Sequence, residues 1–455
     1  MKRIICLVLF LYGTGVTAQI DTVSNLSDAE KIMGLSEFWS EAANNFVYFD
    51  KTHINWDSAY QAFIPKVLAT RNTWNYYLVL KQFAALLHDG HTGIQESFAL
   101  YHNSSRYKFI NFECVNKHFF VTNIDLSDSS KVPLGSELIS VDQVPLADWM
   151  RDNIFPYICA STEQQLYNDA AWDLFYGTDT TQRWQLALKT PQGKMIRYAA
   201  YYHTYRRHWE VPDPPYQRTR YERMGNIGYF QINTFGDRGV VDDFQKILPE
   251  IRGCKGMILD IRRNGGGNSE IGAEILKYFT DANPLVGSAW QTKENISAFK
   301  AWGKYFRKKN PDSLSAFERK CVQNYNNNYW YKGDTMRFEN NISVPRITLP
   351  LVVLMGNSTA SAAEDFLIML SNLKNRALTI GQTSFGSTGQ PLSFDLPGGG
   401  SGQVCSKKDT YPDGKEFVGY GIKPDIVVEK NIEAILKHRD PELETALKEL
   451  QKEIQ

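Results

Sequence analysis

Two short apolar runs constrain this chain more than any other feature: Met257-Ile258-Leu259-Asp260-Ile261 and Leu351-Val352-Val353-Leu354-Met355. Each is followed by a loop and then by residues of helical composition, 269–279 in one case and 362–373 in the other. Short continuous apolar runs bounded by turn residues read as strands buried on both faces. Such strands alternating with helices read as a parallel sheet. A further strand at 227–232 and a helix at 240–251 extend the alternation, so the chain from about residue 226 onward is expected to be α/β.

The preceding segments follow other periods. Between residues 26 and 87 apolar residues recur at three and four (Phe38, Ala42, Phe46; then Tyr76, Leu80, Phe83, Leu87), which predicts a helical N-terminal domain. It ends in His88-Asp89-Gly90-His91-Thr92-Gly93, where the two glycines are expected to stop the helix and expose what lies between them. From about 107 to 202 the period is two, with strands such as Phe119-Phe120-Val121-Thr122 and Trp184-Gln185-Leu186-Ala187-Leu188. Inside this region, residues 133–146 resemble a PDZ domain, which implies a sheet edge open to peptide by strand addition; an ordinary β spacer fits the same pattern. Residues 286–344 interrupt the α/β alternation with aromatic and polar residues and read either as a lid over a cleft or as a solvated excursion. The expected division is 1–18 signal peptide, 19–104 helical, 105–207 PDZ-like and 208–455 α/β core.

Composition narrows the partners. With 455 residues, 43% hydrophobic and 13% aromatic, the chain can bury sizeable cores. Fifty basic and fifty acidic residues cancel without long runs of one sign, which leaves no electrostatic footprint for nucleic acid or an anionic membrane. Lys2-Arg3, the apolar residues 4–12 and Val16-Thr17-Ala18 have the layout of a cleavable secretory signal, so the mature chain is expected to be exported and to begin near Gln19. No later stretch reads as a membrane span. Cys114, Cys159, Cys254, Cys321 and Cys405 are odd in number and lack zinc-site spacing, so at least one thiol is expected to be unpaired.

Ser361 falls where a buried strand turns into a helix. A hydroxyl there is presented at the helix start, beside amides that point toward a developing negative charge. The same residues, Ser361-Ala362-Ala363-Glu364, also satisfy the capping-box pattern, in which serine and glutamate only satisfy helix amides. Arg263-Asn264-Gly265-Gly266-Gly267-Asn268, after the other buried strand, lets backbone approach a ligand closely but lacks the lysine of a phosphate loop.

Taken together, these pieces resemble the C-terminal processing peptidase and tricorn family of serine peptidases. The matching segments are Asp89-Gly90-His91-Thr92, the PDZ-like stretch, Leu259-Asp260-Ile261-Arg262 with its glycines, 358–364, Phe385-Gly386-Ser387-Thr388-Gly389-Gln390-Pro391 and Gly419-Tyr420-Gly421-Ile422-Lys423-Pro424-Asp425. The resemblance implies a crotonase-like (ClpP-like) catalytic core and serine-dependent hydrolysis of peptides or unfolded protein. It also implies Ser361 as nucleophile, with Ala362 and Gly266 as oxyanion donors and no metal or organic cofactor. The processing branch places its lysine base where this chain has Ser387, so the tricorn-like branch is the better match. By that resemblance His91 is the base, preferred over His88, and Glu416 is the supporting carboxylate, with Glu364 and Asp413 as competitors; Ser387 helps position a water or the histidine. The rivals are a family member without catalysis that binds peptides or apolar ligands, and a crotonase-like acyl-CoA enzyme.

Overall fold

The computed structural model describes residues 25–454 except 107, 178–180, 203–207 and 213–214; the expected signal segment lies outside the described residues. The α/β expectation from residue 226 onward holds. A six-stranded sheet runs in the order Ile426–Val427, Leu378–Gly381, Leu351–Met355, Gly256–Asp260, Ile227–Ile232 and Thr219–Met224. Its neighbours are parallel except at the last pair, which is an antiparallel hairpin. Strand Gly256–Asp260 is buried at every position, as an unbroken apolar run requires.

Alternate residues of these strands feed two cores. Met257, Leu259, Val353 and Met355 face the helices Gly239–Arg252, Ser269–Leu276 and Ala362–Ser371, whose Phe244, Ile275 and Phe366 fill that layer. Ile258, Val352 and Leu354 face the opposite way and meet Ala446 and Leu450 of helix Pro441–Ile454. Each fully buried Phe side chain contributes about 1.5–3 kcal/mol before conformational entropy opposes it, so helices on both faces make this sheet a rigid platform.

The leader helices Asp28–Asn45, Trp56–Leu68 and Thr73–Ala85 begin at side-chain caps from Ser27, Asn55 and Asn72. Their core is not closed on itself. Phe38, Trp56 and Phe83 pack in one cluster with Ile368, Val404, Cys405, Phe417 and Val418, which belong to the α/β part of the chain. The glycines do not stop the last leader helix. It ends at Ala85 through short-range bonds from Leu87 N–H to Ala84 O (3.0 Å) and His88 N–H to Ala85 O (3.1 Å), with His88 itself in the left-handed conformation at φ 48°.

The alternating region forms an antiparallel sheet in the order Ile110–Val115, His118–Ile124, Glu137–Val141, Arg183–Lys189, Met195–Tyr201, with Val144–Pro145 paired to Glu137–Val141. Phe109, Trp184 and Leu186 of this region share a separate core with Met150 and Ala170 from helices Leu146–Asn153 and Glu163–Asp173. The insert at 286–344 has structure of its own. Strand Ala289–Lys293 pairs with Trp330–Lys332 and Lys408–Thr410, and helices Ser297–Phe306 and Ala316–Tyr325 meet through Phe299, Trp302 and Phe317. Among the described residues the five cysteines are free and no helix is long and apolar enough to cross a membrane.

Candidate active site

Neighbouring parallel strands deliver their C-terminal ends side by side, and three adjacent ends in this sheet carry the residues singled out by the sequence. Gly256–Asp260 runs into the glycine loop, Leu351–Met355 into Ser361, and Leu378–Gly381 into Ser384 and Ser387. Backbone and hydroxyl bonds fasten the three loops together. Thr359 Oγ1 donates to Ile261 O at 2.9 Å and accepts from Gly356 N–H at 2.9 Å. Ala360 N–H donates to Asn264 O at 3.1 Å, and Phe385 N–H to Thr359 O at 2.9 Å.

Ser361 sits at φ 55° and ψ −123°, outside the β region that an ordinary N-cap serine occupies. Positive φ in a non-glycine residue costs about 1–3 kcal/mol and persists only where the surroundings over-determine it. Here the Ser361 N–H is shared between Ser387 O (3.2 Å) and Glu364 Oε2 (3.3 Å), which pins the strained turn. The side chain is half-buried at the helix start. Asp365, buried on the next turn position, accepts from Ser269 Oγ at 2.6 Å and from Ser288 Oγ, and so ties the helix after Ser361 to the helix after the glycine loop.

Glu364 is fully buried beneath this turn. Besides Ser361 N–H, its oxygens accept from Ser384 Oγ, from Gly386 N–H at 2.9 Å and from Ser387 N–H at 3.1 Å. Burial pushes its pKa up to about 8, while these four donors pull it down. Ser387, thus held, places its Oγ 2.7 Å from His91 Nδ1.

His91 reaches the site from the leader. Asp89 Oδ2 accepts from His91 N–H at 3.1 Å and Thr92 Oγ1 at 2.7 Å, while Thr92 Oγ1 in turn accepts from Cys405 N–H at 3.0 Å. Strand Gly93–Gln95 then pairs antiparallel with Gly400–Cys405, which locks the loop to the α/β half. Burial, reinforced by the positive charge of Lys407, lowers the His91 pKa to about 4, so its imidazole is neutral near pH 7. Among the described hydrogen bonds His91 meets Ser387 rather than Ser361 directly.

Ala362 is the first residue of its helix, and its N–H therefore has no intrahelical acceptor. Gly266 lies against the same turn at φ 101°, where an added Cβ would stand 2.6 Å from Ser361 Cβ, 2.8 Å from Ala360 O and 3.0 Å from Ala362 N; only glycine fits. Its own N–H, however, donates to Asn264 Oδ1 at 3.0 Å.

The remaining candidates stand elsewhere. Glu416 is ion-paired with Lys408 (3.0 Å) and Lys51 (3.2 Å); burial alone would raise its pKa, yet the two lysines hold it below the usual carboxylate value. The carboxylate that does bond to the Ser361 and Ser387 backbone is Glu364. Asp413 closes a turn by accepting from Lys415 N–H at 3.0 Å, and His88 shapes the end of the leader helix. Among the described residues no group of three or more His, Cys, Asp or Glu side chains is placed to hold a metal ion. Sequence reasoning assigned no role to Asp89 or Asn264. The only signal for Asp89 was its position two residues before a histidine, where a short carboxylate can accept from the backbone ahead of it.

Residues 226–428 match the profile described as "Peptidase family S41". The chain is 26% identical over 217 residues to the carboxy-terminal-processing protease of Bartonella bacilliformis, covering 46% of this chain and 41% of that protein. It is 27% identical over 216 residues to the carboxy-terminal processing protease CtpA of Bacillus subtilis, covering 46% and 37%. It thus spans about two fifths of the length of the curated relatives it matches. Over nearly the whole chain the fold is similar to the crystal structure of mature CPAF, with a TM-score of 0.69 at 15% identity, covering 94% of this chain and 98% of that one. The segment similar to peptidase family S41, residues 226–428, contains the three loops that carry Gly266, Ser361 and Ser387.

Proposed function

We propose that this protein is a serine peptidase of the tricorn-like kind, acting on peptides or unfolded protein after export, with residues 1–18 as the export signal. Ser361 is the nucleophile and His91 its base. With Nδ1–H directed at Ser387 Oγ, the Nε2 lone pair remains to take the serine proton as the hydroxyl attacks a peptide carbonyl. The Ala362 N–H and the glycine loop at Gly266 receive the oxyanion, and water releases the acyl-enzyme. Glu364 positions the site through Ser387 and the Ser361 backbone, taking the place given to Glu416 by resemblance. In this reading the sheet and its helices form a crotonase-like core at 208–455, the leader spans 19–104, the β unit at 105–207 is PDZ-like, and the insert at 286–344 is a lid.

The observation that carries the reading is the strained serine at a helix start, bonded through Ser387 to a neutral, half-buried histidine. A fluorophosphonate probe with mass mapping tests it: wild type should be labelled on Ser361, and Ser361→Ala and His91→Ala should not be. Absence of labelling on folded wild type would overturn it. A second reading, a peptide binder without turnover, is favoured by one contact, the Gly266 N–H engaged by Asn264. Labelling of wild type excludes that reading.

A further inference from the structure

Behind the His91 loop lies a cavity of about 690 Å³, within the size range of small-molecule and side-chain sites. Ser361, His91 and Ser387 do not line it, but their chain neighbours do: Gly90 and Thr92, which flank His91, and Phe385, two residues before Ser387. Its far wall is helix Glu163–Asp173 of the β unit, which presents Asp169, Trp172 and Asp173. No element of the proposed mechanism uses this space.

The charges facing the cavity are three carboxylates (Glu96, Asp169, Asp173) and two ammonium groups (Lys81, Lys108). Lys81 is ion-paired to Glu96 at 2.7 Å, and Glu96 also accepts from Tyr176 OH at 2.8 Å. Lys108 donates to Trp172 O at 2.6 Å. Both ammonium groups are thus engaged by the protein, and an incoming anion would meet three carboxylates. Asp169 accepts from Gln165 Nε2 at 3.2 Å, and the Asn168 side chain also bonds to it. Asp173 lines the cavity at its exposed rim, where desolvation by the surrounding protein raises its pKa. Desolvation likewise raises Asp169 to about 6, so a cation that arrives there gains more than it would at a free surface. Trp172, 72% exposed at the rim, already has Lys108 Nζ 5.8 Å from its ring centroid, an arrangement in which an indole attracts a cation.

We infer that this cavity is a subsite for a cationic side chain, arginine or lysine, of the peptide engaged at Ser361, with Asp169 and Asp173 as its anchors and Trp172 as its aromatic wall. This rests on the peptidase reading for its substrate, and its test is made by binding so that the two can fail separately. Ser361→Ala, which keeps the fold and removes turnover, is titrated by fluorescence anisotropy with labelled peptides in which arginine is scanned through each position and compared with its neutral isostere citrulline. At one position arginine should bind about tenfold more tightly than citrulline. Adding Asp169→Asn and Asp173→Asn should bring the two peptides to equal affinity while leaving the citrulline peptide unchanged.

An equal affinity for arginine and citrulline at every position overturns the subsite, as does a preference that survives the double substitution in a protein whose thermal unfolding is unchanged. Should the double variant misfold, Trp172→Ala, at an exposed site, must reduce the preference; if it does not, the proposal is overturned. An arginine preference that depends on the aspartates in a protein whose wild type takes no fluorophosphonate would sustain the subsite and sink the peptidase reading.

Discussion

The leader helices and the β unit occupy similar lengths of chain but relate to the sheet in opposite ways. The leader's core is held in common with the α/β half: Phe38 and Phe83 pack in the cluster that contains Val404 and Phe417. The β unit closes its own core around Phe109, Trp184 and Leu186. The leader also supplies His91, whereas the β unit touches the site through polar contacts such as Ser161 Oγ accepting from Gly90 N–H at 2.9 Å and Thr162 Oγ1 donating to Phe385 O at 2.8 Å. A region that shares a core cannot move without the site. A region with its own core can turn as a body and alter what reaches the site.

The comparison is broken or sharpened by four measurements, in decreasing order of expected effect. His91→Ala should lower kcat/KM by about 10⁴–10⁶-fold with little change in melting temperature, because a side chain that completes the leader's contribution is lost while packing stays. Activity near the wild-type level would move the base elsewhere. Gly266→Ala should cost about 10²–10³-fold in kcat, since the added methyl meets backbone of the Ser361 turn and displaces the loop proposed to receive the oxyanion.

Phe38→Ala and Phe109→Ala should each destabilise by about 3–5 kcal/mol, measured by denaturant unfolding. They should part company in labelling: the Phe38 variant loses probe reaction at Ser361 in proportion to unfolding of the shared core, and the Phe109 variant keeps it. Equal loss in both would show that the β unit is not independent. The smallest effect concerns pH. The base must be neutral, so kcat/KM should rise with pH through the lowered His91 pKa of about 4 and stay level toward neutrality. Lys407 disfavours the imidazolium, so Lys407→Gln should move that acidic limb to higher pH; a shift to lower pH would contradict the electrostatic assignment.

Much of the sheet was legible because its strands are unbroken apolar runs, and the turn at Ser361 because a strand and a helix flank it. Local pattern carried less about what closes the site. The end of the leader helix falls to His88 rather than to either glycine, since short-range bonds at Leu87 and His88 tighten the chain before Gly90 is reached. The choice between Glu364 and Glu416 turns on lysines at 51 and 408, far apart in sequence, that draw Glu416 away. The engagement of Gly266 by Asn264, two residues earlier, depends on a side-chain rotamer that no periodicity encodes. Helix Pro441–Ile454 went unremarked, although Ala446 and Leu450, four apart, are the residues that cover the sheet.

That last helix has a consequence in time. Arg262, at the root of the glycine loop, bonds through its guanidinium to Asp260 at 2.6 Å and to Asp440 at 2.7 Å, with Glu442 alongside. Until residues 440–454 have been synthesised, the sheet lacks one of its faces and this arginine lacks its outer carboxylates. A nascent chain therefore carries Ser361 and His91 before the outer ion pairs of Arg262 and the second face of the sheet can form.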